Sequence, residues 1–496
     1  MKNVFQIIGR QPKILTYDRW GTVFPDGKKL AAPIGPEGFN DILMAEYGTP
    51  TGQREWDGIM ERMREVGEAS QALTSMSLRE DAGVLLTAAA RYPLGFIKTL
   101  RYGQQVRSGK GRSGESRECA HGSTSTLTDD MSRSSQLTRP FSDIQSELSI
   151  SDPFVKNWLD MLCFLLQGLP ASGTQNAVIG YMLQDWYREG VCLDFPEGGS
   201  GAIVDCLVDS VTENGGEVRT SAHVEEVIFD ADGKAEAVKV KGEVIKASEV
   251  VLNMPPMGIK EVLGDTAPKE LRDYVDSLIP DATGETEELK SFIHLHAGIS
   301  AEGLPTEASA DFPAQWAVVR DWNAPEGVES KRNIVLVTMT SLIDKGMAPE
   351  GHHVIHAYVP ATEDYADWAG MDRSSQEYKE KKAEAEDFLW RAVEEYVPGA
   401  RDRAVEGTVQ VGTPLTHERF LRRPQGSYGP RAVAGENSLP PHKAKGAEGL
   451  WFCGDYFFPG IGVPAAAAGG SIVANSIVDV GTHKGWLDKI RLPAPV

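Results

Sequence analysis

The stretch LWFCGDYFFPGIGVPAAAAGGSIVANSIVDV at residues 450–480 decides the fold class of this chain. Its apolar start predicts a short buried strand that ends at Gly454 and Asp455. A loop rich in glycine and proline follows, and the small residues from Val463 to Val480 predict a tightly packed helix. This strand, loop and helix carry the clearest chemical information in the sequence.

Residues 460–465 (GIGVPA) match the dinucleotide-binding pattern G-x-G-x-x-A. A true fingerprint of this kind opens a unit of about 30 residues, whose second strand ends in an acidic residue that binds ribose. Residues 466–496 are instead expected to form one helix and a tail. The ADP-binding unit therefore does not fit this position.

The same residues do fit the flavin end of a cofactor site. Backbone N–H groups at the start of the helix at Val463 can face an anionic or electron-rich ring edge. Glycine at positions 460 and 462 lets the backbone approach a flavin closely. Asp455 can accept a hydrogen bond from a ribityl hydroxyl. The stretch therefore predicts a flavin cofactor.

A second informative block spans residues 195–255. FPEGGSGAIVDCLVDSVTENGG predicts a glycine-rich turn and a helix, and EVRT, HVEEVIFD, EAVKVK, EVIKA and EVVLN predict five short strands. Hairpin turns are expected at Asp232-Gly233 and Lys241-Gly242. Such a unit occurs in two-domain α/β flavoproteins, and an ordinary α/β meander is the alternative. The apolar helix face would contain Val204, Leu207, Val208 and Val211.

Composition and charge exclude several classes of protein. Of the 496 residues, 41% are hydrophobic and 24% are charged, so the chain is not largely disordered. The net charge of −21 repels phosphate backbones, so nucleic acid is not an expected partner. No apolar run is long enough to span a membrane, and we expect no signal peptide at residues 1–10.

No metal site is expected. The five cysteines are widely spaced, which indicates free thiols in a reducing compartment. His294 and His296 share one face of a predicted strand, but no carboxylate or thiolate stands at partner spacing. Cys119 and His121 lie in the Ser/Gly/Arg-rich run at 104–140, which is interpreted as a disordered insertion.

The motif at 450–480 resembles the C-terminal FAD motif of the phytoene desaturase and carotenoid isomerase family of FAD-dependent oxidoreductases. FPEGGSGAIVDCL, NGGEVRTSAHVEEVIFD and VGTPLTHERFLRRPQGSYGP resemble the same family, most closely its prolycopene isomerase-like members. The resemblance covers most of residues 150–480. It implies an α/β fold with two domains, of the FAD-dependent amine oxidase and phytoene desaturase type. The second domain would bind substrate with a mixed sheet and helices.

One feature of the family is missing from the sequence. Family members begin with a strand, a G-x-G-x-x-G turn and an acid that binds the adenosine ribose, and residues 1–100 contain no such pattern. We therefore expect a FAD-binding domain that is incomplete at its N-terminus, in a fragment or a truncated gene model. The expected segments are 1–103 and 141–190 (substrate domain), 104–140 (insertion), 191–255 (FAD domain), 256–440 (substrate domain) and 441–496 (C-terminal FAD segment).

The resemblance also implies roles for individual residues. Val224 would lie by the adenine, and Asp455, after Gly454, would hold the ribityl or pyrophosphate end. Gly460, Gly462 and Val463 would lie along the isoalloxazine ring. The polar residues expected to face the substrate are Thr413, His417, Arg419, Arg422 and Tyr428. Of these, His417 and Tyr428 are the catalytic candidates, and His417 has the proton affinity closest to neutral pH.

The resemblance implies a FAD-dependent carotenoid cis–trans isomerase that acts on a long conjugated polyene through reduced flavin. Carotenoid desaturation, saturation or hydration and amine oxidation on the same scaffold are alternatives, as is a flavin-free remnant that binds a lipophile. The implied location is the plastid, in the stroma or peripheral to the thylakoid membrane. A lipophilic carotenoid is the expected small-molecule partner.

Overall fold

The computed structural model describes residues 1–104, 137–279, 290–435 and 439–490. The expected insertion at 104–140 falls mainly on residues 105–136, which lie outside the described residues, as do Cys119 and His121. The domain boundaries stay a prediction.

The strands form one large sheet and three small ones. The large sheet has seven strands in the order β13-β9-β12-β11-β10-β2-β3, all antiparallel except the parallel pair β10–β2. The mixed sheet expected for the substrate domain is thus present. The strands are β1 Ile14–Tyr17, β2 Arg19–Val23, β3 Lys29–Pro33, β4 Leu193–Pro196, β5 Val224–Phe229, β6 Ala235–Val240, β7 Glu243–Lys246, β8 Val250–Asn253, β9 Lys290–Ser300, β10 Gln315–Val319, β11 Ile334–Thr338, β12 His352–Asp364, β13 Gln410–Gly412 and β14 Leu450–Cys453.

Helices of seven or more residues pack around these sheets, joined by shorter helical turns. They are α1 Lys2–Ile8, α2 Pro50–Gln71, α3 Pro93–Gln104, α4 Phe141–Glu147, α5 Pro153–Gln167, α6 Asn176–Trp186, α7 Gly201–Glu213, α8 Pro256–Val262, α9 Lys269–Leu278, α10 Gln376–Glu394, α11 Pro414–Leu421, α12 Val463–Ile477 and α13 Val480–Leu487. Among the described helices, none combines the length and the apolar character needed to cross a membrane.

One face of the large sheet forms a core with α10. Because side chains alternate along a strand, Ile293, Leu295 and Ala297 of β9 all point to this face. They belong to one buried cluster with Leu389 and Val393 of α10. The residues between them on β9, among them His294 and His296, therefore lie on the opposite face.

A layer of helices forms a second core. Helices α2, α5 and α6 share a buried cluster rich in aromatic side chains. Helices α2 and α6 approach closely where a Cβ added at Gly67 would lie 2.6 Å from the carbonyl oxygen of Gly180. Asp152 caps α5 by accepting a hydrogen bond from Val155 N at 3.0 Å. The apolar stretch 154–169 thus packs mainly into a core.

The C-terminal segment joins the block at 224–253. Strand β14 pairs in parallel with β8, and β5, β6 and β7 form an antiparallel meander. The two predicted hairpins are confirmed, whereas EVRT at 217–220 forms no strand. Strands β5 and β8 bury their apolar side chains with those of α8 and α9.

The apolar face of α7 differs from the expectation. Val204, Leu207 and Val211 do share one face, but all three are exposed. Helices α8 and α9, and not α7, contribute side chains to the buried cluster of β5 and β8. Within the described residues, α7 buries no side chain.

Candidate cofactor and substrate site

The candidate cofactor site begins where β14 ends. Leu450, Trp451 and Phe452 are buried, and the register pairs Cys453 with Asn253 at the ends of two parallel strands. Gly454 follows with a φ of 107°. A Cβ at this position would lie 2.5 Å from Asn253 Oδ1, so the close approach and the positive φ both favour glycine.

Asp455 lies beside an arginine that the sequence did not single out. Arg423 Nη1 is 2.9 Å from Asp455 Oδ2, and Arg423 Nε donates to Ser427 O at 2.8 Å. The Ser427 and Tyr456 hydroxyl oxygens are 3.3 Å apart. These contacts join the turn before Tyr428 to the predicted flavin segment. Nothing in the sequence distinguishes Arg423 from its neighbour Arg422.

The start of α12 presents free backbone donors. Gly460 and Gly462 have φ values of 114° and 100°, and Gly462 is the N-cap without a side-chain hydrogen bond. Val463, the first helical residue, is 57% exposed. Because the first turn of a helix has unpaired N–H groups and a positive dipole end, this terminus can hold an electron-rich ring edge.

Two buried polar atoms near this segment have no hydrogen-bond partner among the described residues: Gln167 Oε1 and Arg423 Nη2. Gln167 lines a cavity of about 10 Å³ together with Leu169, Pro430, Ala432, Leu439, Gly460 and Ile461. Such a volume holds about one water molecule. The unpaired atoms and the free helix terminus fit a polar cofactor. A flavin ring needs far more room than this cavity offers, and it would have to lie outside the cavity, where Val463 is exposed.

The two catalytic candidates meet at one aromatic side chain. The His417 ring stacks on Phe292 with centroids 3.6 Å apart, and Tyr428 contacts the same ring edge-on at 5.6 Å. The hydroxyl groups of Tyr428 and Tyr358 are hydrogen-bonded. The structure thus places His417 and Tyr428 in one group, on the face of the large sheet opposite α10.

Burial sets the protonation of this group. Burial and the nearby His294 lower the pKa of His417 to about 3, against a weaker opposing effect of a hydrogen bond with the backbone of Phe292. Burial also raises the pKa of Tyr428. At neutral pH both side chains are therefore uncharged. The near-neutral proton affinity on which the sequence argument for His417 relied is not kept in the fold.

The remaining predicted residues lie apart from this group or have structural partners. Thr413 is buried, with its hydroxyl 3.0 Å from that of Tyr378, while Arg419 and Arg422 are exposed. Val224 begins β5, opposite Val240. The FPEGG turn lines a separate open cleft of about 530 Å³, where Gly198 N donates to Asp344 Oδ2 at 2.7 Å.

Comparison of the sequence with curated proteins finds similarity to carotenoid-modifying enzymes. No family model matches the chain. Prolycopene isomerase of Daucus carota is 28% identical over 341 residues, which cover 68% of this chain and 52% of that protein. Carotenoid 3,4-desaturase of Haloarcula japonica is 26% identical over 288 residues, with 58% and 54% covered. The chain thus spans about half the length of the curated relatives it matches.

Solved structures agree on the fold. Putrescine oxidase with bound putrescine has a TM-score of 0.50 at 12% identity, and the match covers 98% of this chain and 86% of the oxidase. A variant of the same oxidase gives 0.52 at 12% identity, covering 99% and 86%. The predicted α/β fold of the amine oxidase and phytoene desaturase type is confirmed. These findings also confirm that the chain is similar to the phytoene desaturase and carotenoid isomerase family of oxidoreductases.

Proposed function

We propose that this protein is a FAD-dependent carotenoid cis–trans isomerase that acts on a long conjugated polyene. The observation that carries the proposal is the similarity to prolycopene isomerases over 68% of the chain. The geometry supports the proposal too, because Arg423 links the Asp455 segment to the turn before Tyr428.

The residues that would hold FAD are among the described residues. Asp455 and Arg423 would bind the polar chain of the cofactor, Arg423 through its unpaired Nη2. The backbone of Gly460 and Gly462 and the free N–H groups of α12 would lie along the ring. When bound in its reduced form, FAD supplies the electrons that transiently lower the order of a conjugated double bond.

The substrate side is neutral and aromatic. Phe292, His417 and Tyr428 form a surface without charge at neutral pH, since burial holds the imidazole deprotonated and the phenol protonated. Such a surface suits an uncharged polyene, whose burial is driven by apolar area. His417 would then act through one hydrogen bond or through packing and would not carry a positive charge.

Carotenoid desaturation is the second candidate, and the similarity to the archaeal 3,4-desaturase favours it. A desaturase needs oxidised flavin and yields a product with an additional double bond, whereas an isomerase needs reduced flavin and leaves the composition unchanged. The plant relatives are named as chloroplastic, so a plastid location peripheral to the thylakoid is part of the proposal.

Flavin binding by this chain is the first test. The purified chain is mixed with excess FAD and desalted, and the visible absorption of the protein fraction is measured. We expect retained flavin in the unaltered chain and in Asp209→Asn, a matched exposed and ion-paired aspartate on α7. Asp455→Asn should retain less. Absence of flavin from the unaltered chain would contradict a flavoenzyme function for this chain.

The second test separates the two activities. Loaded protein is incubated without oxygen with a cis-polyene and either reduced or oxidised FAD, and products are resolved by chromatography with absorption detection. Isomers formed only with reduced FAD support the proposal. Products with longer conjugation, formed only with oxidised FAD, would replace it with desaturation.

A further inference from the structure

We propose that His294, His296 and His356 form a binding site for a divalent transition metal ion of the Zn²⁺ class. The site does not depend on the proposed function, because none of its ligands belongs to the predicted FAD segment. The sequence led us to expect no metal, since it showed only two histidines on one strand.

Strand pairing supplies the third imidazole. The register of β9 and β12 places His356 directly opposite His296, with Tyr358 opposite His294. Because directly paired residues in antiparallel strands project to the same face, three histidines converge on one patch of the sheet. One ring nitrogen from each lies within 4.8 Å of the other two.

The three rings pack against one another. His296 and His356 stack with centroids 4.2 Å apart, and His294 contacts His296 edge-on at 4.8 Å. Within the described part of the chain, no hydrogen bond to a ring nitrogen of these residues is present. The ring nitrogens are therefore available to bind a metal ion. Neutral imidazole is the form that coordinates a metal.

The surroundings leave space for the imidazoles and a route for the ion. Gly412 on β13 pairs with His294, and a Cβ there would lie 2.0 Å from His294 Nε2, so glycine is needed for this ring position. His296 is exposed and provides the entry path. His417, which is 3% exposed, lies 4.8 Å from the His294 ring, and its Nε2 has no partner among the described residues.

Chemistry selects the class of ion. Imidazole ligands suit Zn²⁺, Cu²⁺ and Ni²⁺, whereas Mg²⁺ and Ca²⁺ need oxygen ligands. Three histidines leave the fourth tetrahedral position open to water. Zn–N bonds of about 2.0–2.1 Å require the three rings to rotate toward a common centre. The bound ion would then clamp β9 to β12 beside His417.

Direct metal titration tests the site. The full chain, without a polyhistidine tag and treated with chelator, is titrated with Zn²⁺ alone in a calorimeter, and bound zinc is counted after dialysis. We expect one Zn²⁺ per chain. His296→Ala should weaken binding at least about tenfold, as loss of a metal-supporting residue does. Because His296 is exposed, this variant should fold normally, which circular dichroism checks.

The matched control is His352→Ala. His352 is also exposed on β12, but its Nδ1 faces Glu350 O at 3.0 Å, outside the three-histidine patch. The affinity of the His352→Ala variant for Zn²⁺ should equal that of the unaltered chain. Zn²⁺ should raise the Tm of the unaltered chain and of His352→Ala but not of His296→Ala. Lack of saturable binding, or equal losses in the two variants, would overturn the proposal.

Discussion

Asn475 is predicted to be the main polar anchor of α12, the helix whose first turn would face the flavin. Its side chain is 2% exposed, and Nδ2 donates to both Met76 O and Leu78 O at 2.9 Å. In Asn475→Ala both hydrogen bonds are lost. Met76 O keeps a partner because His483 Nε2 lies 2.8 Å away, but within the described residues Leu78 O loses its only donor.

The magnitude follows from this difference. Each of the two lost hydrogen bonds costs about 1 kcal/mol, and the part-buried Leu78 carbonyl left unpaired adds up to about 2 kcal/mol. We therefore expect the free energy of unfolding to fall by about 2–4 kcal/mol. Asn475→Asp should destabilise at least as strongly, because its carboxylate has no donor to offer the two carbonyls.

Urea unfolding followed by circular dichroism measures the change, with the midpoint and the slope fitted separately. Asn214→Ala is the matched control, because Asn214 Nδ2 also donates to a backbone carbonyl, Ser210 O, at 2.8 Å but in an exposed turn. The control should lose less than about 1 kcal/mol. Equal losses in the two alanine variants would refute the reasoning that burial of the anchor sets its value.

Three further changes test the packing. Glu363→Ala removes a carboxylate that is 0% exposed and paired with Arg332. The free energy of unfolding, measured by urea unfolding, should fall by about 3–5 kcal/mol, and a loss below about 1 kcal/mol would contradict a buried ion pair. Gly412→Ala should cost about 1–3 kcal/mol in the same assay, because its Cβ collides with His294, and an unchanged midpoint would argue against this ring position. At Gly58 in α2, an added Cβ has no atom within 4 Å. Gly58→Ala should therefore raise the Tm and increase the free energy of unfolding by about 0.5–1 kcal/mol, and a lower Tm would contradict this reasoning.

The local signals in the sequence predicted the local structure well. The strand at Leu450–Cys453, the glycine turn and the helix from Val463 were all expected. The expected tail was wrong, because the helix ends at Ile477 and Asp479 caps a second helix, α13. The hairpins after β5 and β6 also followed from their turn residues. These elements depend on neighbours within a few residues, so periodicity and turn chemistry are sufficient to predict them.

By itself, the sequence determined the fold class, the strand, loop and helix of the C-terminal segment, and the resemblance to a family. Tertiary structure alone decided that Arg423 pairs with Asp455 and that His356 joins His294 and His296. It also decided that His417 is neutral. The physical reason is that strand register and burial are collective properties of residues far apart in the chain. A single residue's position in sequence therefore does not reveal its partners or its pKa.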